Sequence, residues 1–253
     1  MPAVPPHPAA TRLTESVLAI LGAVFAMALT DAIIKRSSAG MSLWQIWALR
    51  STMVLPVLVV LARGRIWGAG IGWVWLRTLA LTAMYFCMYP ALPFIDLSLA
   101  GAAFYTAPLF IVGLSALLLG QRITARHWLA ILTGFAGLLL IVRPFGAAFT
   151  PVVLGPVGAA VFYAVAAVLT RARCGATPPA VQAFWLNAAF LVFGLCGLAL
   201  IGSGLPLPQG LPFLFAPWQP MAAKDWAMMA ALAALILGIG LGWQRPINRR
   251  SRP

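Results

Sequence analysis

The sequence predicts an all-α, polytopic transmembrane helical bundle built as an inverted repeat. Three observations predict it. Of 253 residues, 62% are hydrophobic and 8% charged. A soluble domain carries about 25% charged residues, and so few charges cannot cover a water-soluble globule. Apolar runs recur along the chain at lengths near the about 20 residues that cross a bilayer. Finally, a shift of 137 residues lays the early chain over its middle without a gap.

Residues 1–14, with MPAVPPHPAATR at their start, are Pro-rich and aperiodic, and are predicted to be a disordered tail. The first span is Glu15–Ile34. It is too long for a signal peptide and runs into Lys35-Arg36 rather than a cleavage site, so it reads as a retained helix. Further spans are predicted at Leu43–Ala62, Leu76–Phe94, Leu97–Leu119, His127–Val142, Leu154–Thr170, Val181–Ile201 and Trp226–Trp243. The fourth contains Pro108, which frees the Phe104 carbonyl and predicts a helix kink. In lipid that carbonyl needs a partner from the bundle, which suits a helix lining a cavity. Gln121-Arg122 marks the cytoplasmic end of this span. Ser203–Lys224 is too broken by Pro to cross, and its Phe213, Phe215 and Trp218 predict an interfacial or re-entrant segment. Residues 244–253 form a basic tail.

The charges orient the chain. With the N-terminus inside, Arg12, Arg63, Arg65, Arg77, Arg122, Arg126, Arg171, Arg173, Arg245, Arg249, Arg250 and Arg252 fall inside, twelve in all. Lys35, Arg36, Arg143 and Lys224 fall outside, and Arg50 lies within a span. Twelve against four places both termini in the cytoplasm. The same placement, at the edges of apolar runs, argues against a nucleic-acid partner, which needs a basic soluble face. Cys87, Cys174 and Cys196 have no metal-site or CxxC spacing. No cofactor is predicted, and no nucleotide-binding loop appears.

The repeat lays Ala23–Arg50 over Ala160–Asn187. Ala23, Val24 and Phe25 match Ala160, Val161 and Phe162; Arg36, Gln45 and Leu49 match Arg173, Gln182 and Leu186. The first copy, 15–142, holds five spans, so the second, 153–243, enters from the opposite side. Inverted repeats of this kind bind cargo near the midplane, where the halves meet.

Polar residues inside the spans are the candidate cargo contacts. Arg50 lies eight residues into its span, roughly 10 Å deep. Exposing it to lipid costs about 2.5–3.5 kcal/mol, so it should face a polar interior. Asp31 has a similar depth on the preceding antiparallel helix, and two readings stand: an Asp31–Arg50 ion pair, or an Arg50 that attracts an anionic group of a substrate. Asn187 occupies the repeat-equivalent place of Arg50 and bonds either a ligand or a neighbouring helix. Tyr85, Tyr105, Tyr163 and Trp185 either stack within a pore or pack the core. Lys35 and Arg36 snorkel at a helix end, Asp96 is solvated or capping, and His127 lacks a partner in sequence. Ala234, Gly238 and Gly242, with Gly134 and Gly137, are small-residue positions for close helix approach; a homodimer face is a further option.

The stretch FIDLSLAGAAFYTAPLFIVGLSALLLGQRITARHWLAILTGFAGLLLIVRP, Phe94–Pro144, resembles the fourth and fifth helices of EamA-type permeases of the drug/metabolite transporter superfamily. Lys35-Arg36 and Leu49-Arg50 fit the same resemblance. It implies a multi-pass permease of the bacterial inner membrane that exports or exchanges small metabolites or drugs by alternating access, with the lipid bilayer and a small-molecule substrate as its partners. The sequence departs from the family in two ways. Gln121 stands where the family usually has an acid, and the second copy supplies three of five helices, so about eight of the family's ten are present. The ending WQRPINRRSRP reads as an out-of-frame tail in place of two spans. Two other classes stand beside transport. An intramembrane enzyme lacks a nucleophile–base pair in the spans, so the chain is predicted not to be an enzyme. A truncated, transport-inactive membrane protein, or a half needing a partner, is the alternative.

Overall fold

A computed structural model describes residues 8–68, 70–120, 124–142, 150–206 and 211–242. The regular elements among them are helical: α1 (Pro8–Ser37), α2 (Leu43–Leu61), α3 (Ile71–Met88), α4 (Leu97–Phe104), α5 (Ala107–Leu119), α6 (Ala125–Val142), α7 (Leu154–Arg173), α8 (Pro179–Gly202), α9 (Pro212–Phe215) and α10 (Ala223–Gly242), with short 3₁₀ turns at Tyr89–Ala91 and Pro151–Val153. Lipid enforces this. It offers no partner to backbone N–H and C=O groups, so each crossing segment must bond internally. Five segments are long and apolar enough to cross on that criterion alone: Leu43–Leu61, Ile71–Ala91, Leu97–Leu119, Pro151–Arg173 and Pro179–Gly202. Local chemistry sets the ends. Ser42, extended at φ −74° and ψ 155°, accepts the Gln45 N–H and starts α2. Gly120 takes the left-handed conformation that stops α5.

The packing exchanges the two repeats. Helix α2 lies along α8, its own equivalent under the 137-residue shift. Helix α1 packs on α10, and α7, the equivalent of α1, packs on α3; α10 also meets α2, as α3 meets α8. The α2–α8 pair runs antiparallel. Trp44 abuts Gly194 and Gly197, Trp47 packs on Phe190, and Ala183 and Phe184 join the cluster of Val54, Leu58 and Ala233. Residue i therefore faces i + 137 near Thr52 and Ala189, within a turn of Arg50 and Asn187. Glycine permits the approach: a Cβ on Gly197 would overlap the Trp44 ring, and one on Gly155 would sit 2.7 Å from the Cys87 carbonyl oxygen.

Each second helix also clasps a loop of the other half. Trp44 Nε1 donates to Leu214 O at 2.7 Å. Gln45 Nε2 donates to Gln219 O at 2.8 Å and its Oε1 accepts the Gln219 N–H at 3.1 Å. At the opposite end of the bundle, Trp185 Nε1 donates to Ile66 O at 2.9 Å. The bundle thus has two ends, one carrying residues 38–42 and 211–222, the other residues 62–68 and 174–178. Gln182, the repeat mate of Gln45, holds its own turn instead, donating to Cys174 O and Thr177 O.

Several expectations change. The first helix begins at Pro8, so residues 8–14 are helical rather than a disordered tail. The third begins at Ile71 rather than Leu76, which moves Arg77 from a loop edge into the helix. At Pro108 the Leu97–Leu119 span is interrupted rather than continuous: α4 ends at Phe104, and Pro108 stands in the first turn of α5, where its missing N–H costs nothing. The proline that lies inside a continuous helix is Pro56 of α2. Phe213 is buried in the main core cluster, which also holds Met41 and Leu43, rather than turned outward. Of the small residues singled out, Gly134 meets the Leu109 side chain, whereas Gly137 and Gly238 have nothing within 4 Å. Gln121-Arg122 and residues 244–253 lie outside the described residues.

Candidate substrate-binding site

Arg50 is the centre of the candidate site. It is 2% exposed, at the eighth position of α2, and its guanidinium carbon stands 4.6 Å from the centroid of the Phe190 ring. That cation–π contact offsets part of the desolvation cost, but the Nε–H is buried and makes no hydrogen bond. Asp31 of α1 lies within electrostatic reach without closing an ion pair, so the expected Asp31–Arg50 bridge is a long-range attraction. Tyr85 and Tyr89 share these surroundings.

Aromatic rings build the walls. Trp47 lies 4.7 Å from Phe190, Tyr85 is 5.3 Å from Phe190, and Tyr85 and Tyr89 stand 5.0 Å apart. Further polar groups are buried without a partner: the Tyr89 hydroxyl, the Trp47 indole nitrogen, Ser51 Oγ and Asn187 Oδ1. An unsatisfied buried donor or acceptor costs about 1–3 kcal/mol. Several such groups within a few residues of one another, contributed by both repeats, form a region that a polar guest or water would stabilise.

The predicted residues divide. Arg50, Asp31 and Tyr85 come together. Asn187 sits at the equivalent depth on α8, three residues before Phe190, with its Nδ2 donating to Ala183 O at 2.9 Å. Tyr163 of α7 packs 5.4 Å from Phe104 and stays within electrostatic reach of Tyr85. Trp185 belongs to the other end, stacked between Trp67 and Trp75 and bonded to Ile66, so it holds a loop. Tyr105 is 72% exposed at the α4–α5 break and faces away from the site, and Pro108 is likewise exposed. Trp47, Tyr89 and Phe190 were not foreseen. Their spacing was available, since Trp47 is three before Arg50, Tyr89 four after Tyr85 and Phe190 three after Asn187, one helical turn in each case.

Lys35 stands at one end of the bundle. Its Nζ donates to Ile95 O, and it lines two open hollows of about 290 and 570 Å³, one with Asp96 and Thr150, the other with Gly40, Pro212 and Gln219. Lys35 is therefore tethered rather than simply snorkelling, while Arg36 is exposed. Asp96 occupies the N-cap position of α4 but makes no capping bond. His127 Nδ1 pairs with Thr124 Oγ1 at 2.7 Å. Among the described residues no group of three or more His, Cys, Asp or Glu is placed to hold a metal.

A bundle of apolar helices that turns its polar side chains toward one another, at the contact of two exchanged repeats, is an integral membrane protein of the permease type. The chain belongs to the EamA-like transporter family, whose profile matches residues 14–143, just over half of the 253. It is similar to a riboflavin transporter of Vibrio cholerae, 32% identical over 133 residues that cover 52% of this chain and 44% of the relative. It is also similar to a riboflavin transporter of Rhizobium johnstonii, 27% identical over 132 residues that cover 51% and 43%. Each match spans less than half the length of the curated relative.

Proposed function

We propose that this chain is a secondary permease that carries a small aromatic metabolite of the riboflavin type across the bacterial inner membrane by alternating access, with Arg50 as the central cargo contact and both termini in the cytoplasm. One observation carries the reading: a buried guanidinium, ringed by Trp47, Tyr85, Tyr89 and Phe190, has an N–H with no partner. A planar heterocycle supplies what that arrangement lacks. Its π-face packs on the rings and its carbonyl oxygens accept from the cation. The names of the two relatives support this class of cargo. The α2–α8 contact, crossing near Thr52 and Ala189, is the natural pivot for the two halves.

Riboflavin counterflow into proteoliposomes tests the proposal. Hydrogen bonds to a charged group contribute about 1.5–3 kcal/mol, so Arg50→Gln should lower the rate roughly 10- to 100-fold at equal incorporation. Arg50→Lys should fall between. Full activity of Arg50→Gln would reject Arg50 as a cargo contact, and no counterflow by the unaltered protein would reject the riboflavin reading.

A further inference from the structure

Arg77 is a second cation inside the bundle. It lies six residues after Ile71, about 9 Å along α3 from the end that carries residues 62–68. Its Nε donates to Thr170 Oγ1 at 2.8 Å, and Thr170 in turn donates to Ala166 O at 2.6 Å, so the side chain is held inward on α7 rather than left to snorkel. Its Nη1 is buried and has no hydrogen-bond partner.

Among the described side chains no carboxylate answers this charge. The ionisable groups around it are Cys174, Tyr85 and Tyr163, none of them a carboxylate. Of the acids whose side chains are described, Asp31 faces Arg50, Asp96 lies at the opposite end and Asp225 accepts the Ala222 N–H of its own turn. The first turn of α3 lies at this end, as does the C-terminal turn of α7 that carries Thr170 and the exposed Arg173, whose guanidinium lies 4.8 Å from the Trp73 ring centroid. A half-buried cation with no carboxylate among the described side chains around it, and with a buried donor left over, is a place for an anion. Tyr85 lies within electrostatic reach of both Arg50 and Arg77.

We infer that Arg77, with Thr170 as its tether, is a second subsite of the permeation path, and that it takes an oxyanion, a carboxylate or phosphate group, carried by the transported molecule. Taking the oxyanion as part of the cargo rests on the transporter reading; the existence of an anion site does not.

The test uses the full chain in nanodiscs of phosphatidylcholine, with inorganic phosphate as the probe. Anion binding to the folded state raises the midpoint of thermal unfolding, by about 3 °C at ten times Kd. Phosphate should raise it in the unaltered protein and in Arg36→Gln, and not in Arg77→Gln; Arg77→Lys should keep part of the rise. No rise in the unaltered protein, or an equal rise in Arg77→Gln, would overturn the site. A lipid headgroup offers the same chemistry, so a second arm replaces part of the phosphatidylcholine with phosphatidylglycerol. An Arg77-dependent rise with phosphatidylglycerol that abolishes the phosphate response would mean a headgroup site and overturn the cargo assignment. A phosphate response that survives in phosphatidylglycerol supports it. Failure of riboflavin counterflow beside an intact phosphate response would count against the proposed cargo alone.

Discussion

Gly194→Ala perturbs the contact on which the two halves meet. A Cβ added there would lie 2.9 Å from Ala48 N and from Trp44 O, and 3.3 Å from Ala48 Cα. Ordinary contact begins at 3.4 Å, so the helices must part by about 0.5 Å. Every obstructing atom is backbone, and no rotamer change relieves the overlap. Overpacking of this kind costs about 1–3 kcal/mol, or roughly 5- to 150-fold in the folding equilibrium. For a chain of this size that lowers the unfolding midpoint by roughly 2–12 °C. Tryptophan fluorescence during heating in detergent would report it. Gly137→Ala is the matched control, because a Cβ there meets nothing within 4 Å and gains up to about 1 kcal/mol of helix propensity. The two changes should therefore move the midpoint in different directions. Equal midpoints for Gly194→Ala and the unaltered protein would refute close backbone contact between α2 and α8.

Cysteines placed at Gly40 and Ala176 should react with a membrane-impermeant maleimide from opposite sides of sealed vesicles, since Gly40 lies beside Gln219 and Ala176 follows Cys174 at the other end; labelling of both from one side would contradict the fold. Trp185→Phe keeps the stacking but removes the N–H given to Ile66, a loss of about 1 kcal/mol, so trypsin cleavage after the exposed Arg63 and Arg65 should quicken roughly fivefold. An unchanged rate would show that the bond does not hold that turn. Burial pushes the Cys174 thiol up, and the nearby Arg77 opposes it. The reactive thiolate is therefore scarce at neutral pH and increases as pH rises beyond the usual thiol range, so mass spectrometry should find Cys174 alkylation slow at pH 7 and steeply faster with alkali. Fast labelling at pH 7 in the folded protein would contradict its burial.

The helices were legible because lipid permits little else: an apolar run of span length has one way to satisfy its backbone. The inverted arrangement was legible because Arg36, Gln45 and Leu49 keep their spacing in Arg173, Gln182 and Leu186. Rotation about each helix axis was not. An amphipathic surface helix shows its buried face by polarity, but a span is apolar all round, so Tyr85 and Tyr105 look alike in sequence. One joins the site and the other faces away. Arg50 was found because a charge carries its own phase: lipid excludes it. Arg77 was missed because five residues of α3, Ile71 to Trp75, were read as loop. The duty of Gln45 was hidden for another reason, since its partner Gln219 is 174 residues away and nothing local encodes the pairing.

That separation bears on biosynthesis. A chain threaded into the bilayer from its N-terminus inserts Trp44 and Gln45 long before Leu214 and Gln219 leave the ribosome. Until then an indole N–H and a carboxamide at the edge of the second helix stay wet or borrow lipid carbonyls. The rim at that end is closed by the Gln45–Gln219 pair only once nascent residue 219 arrives.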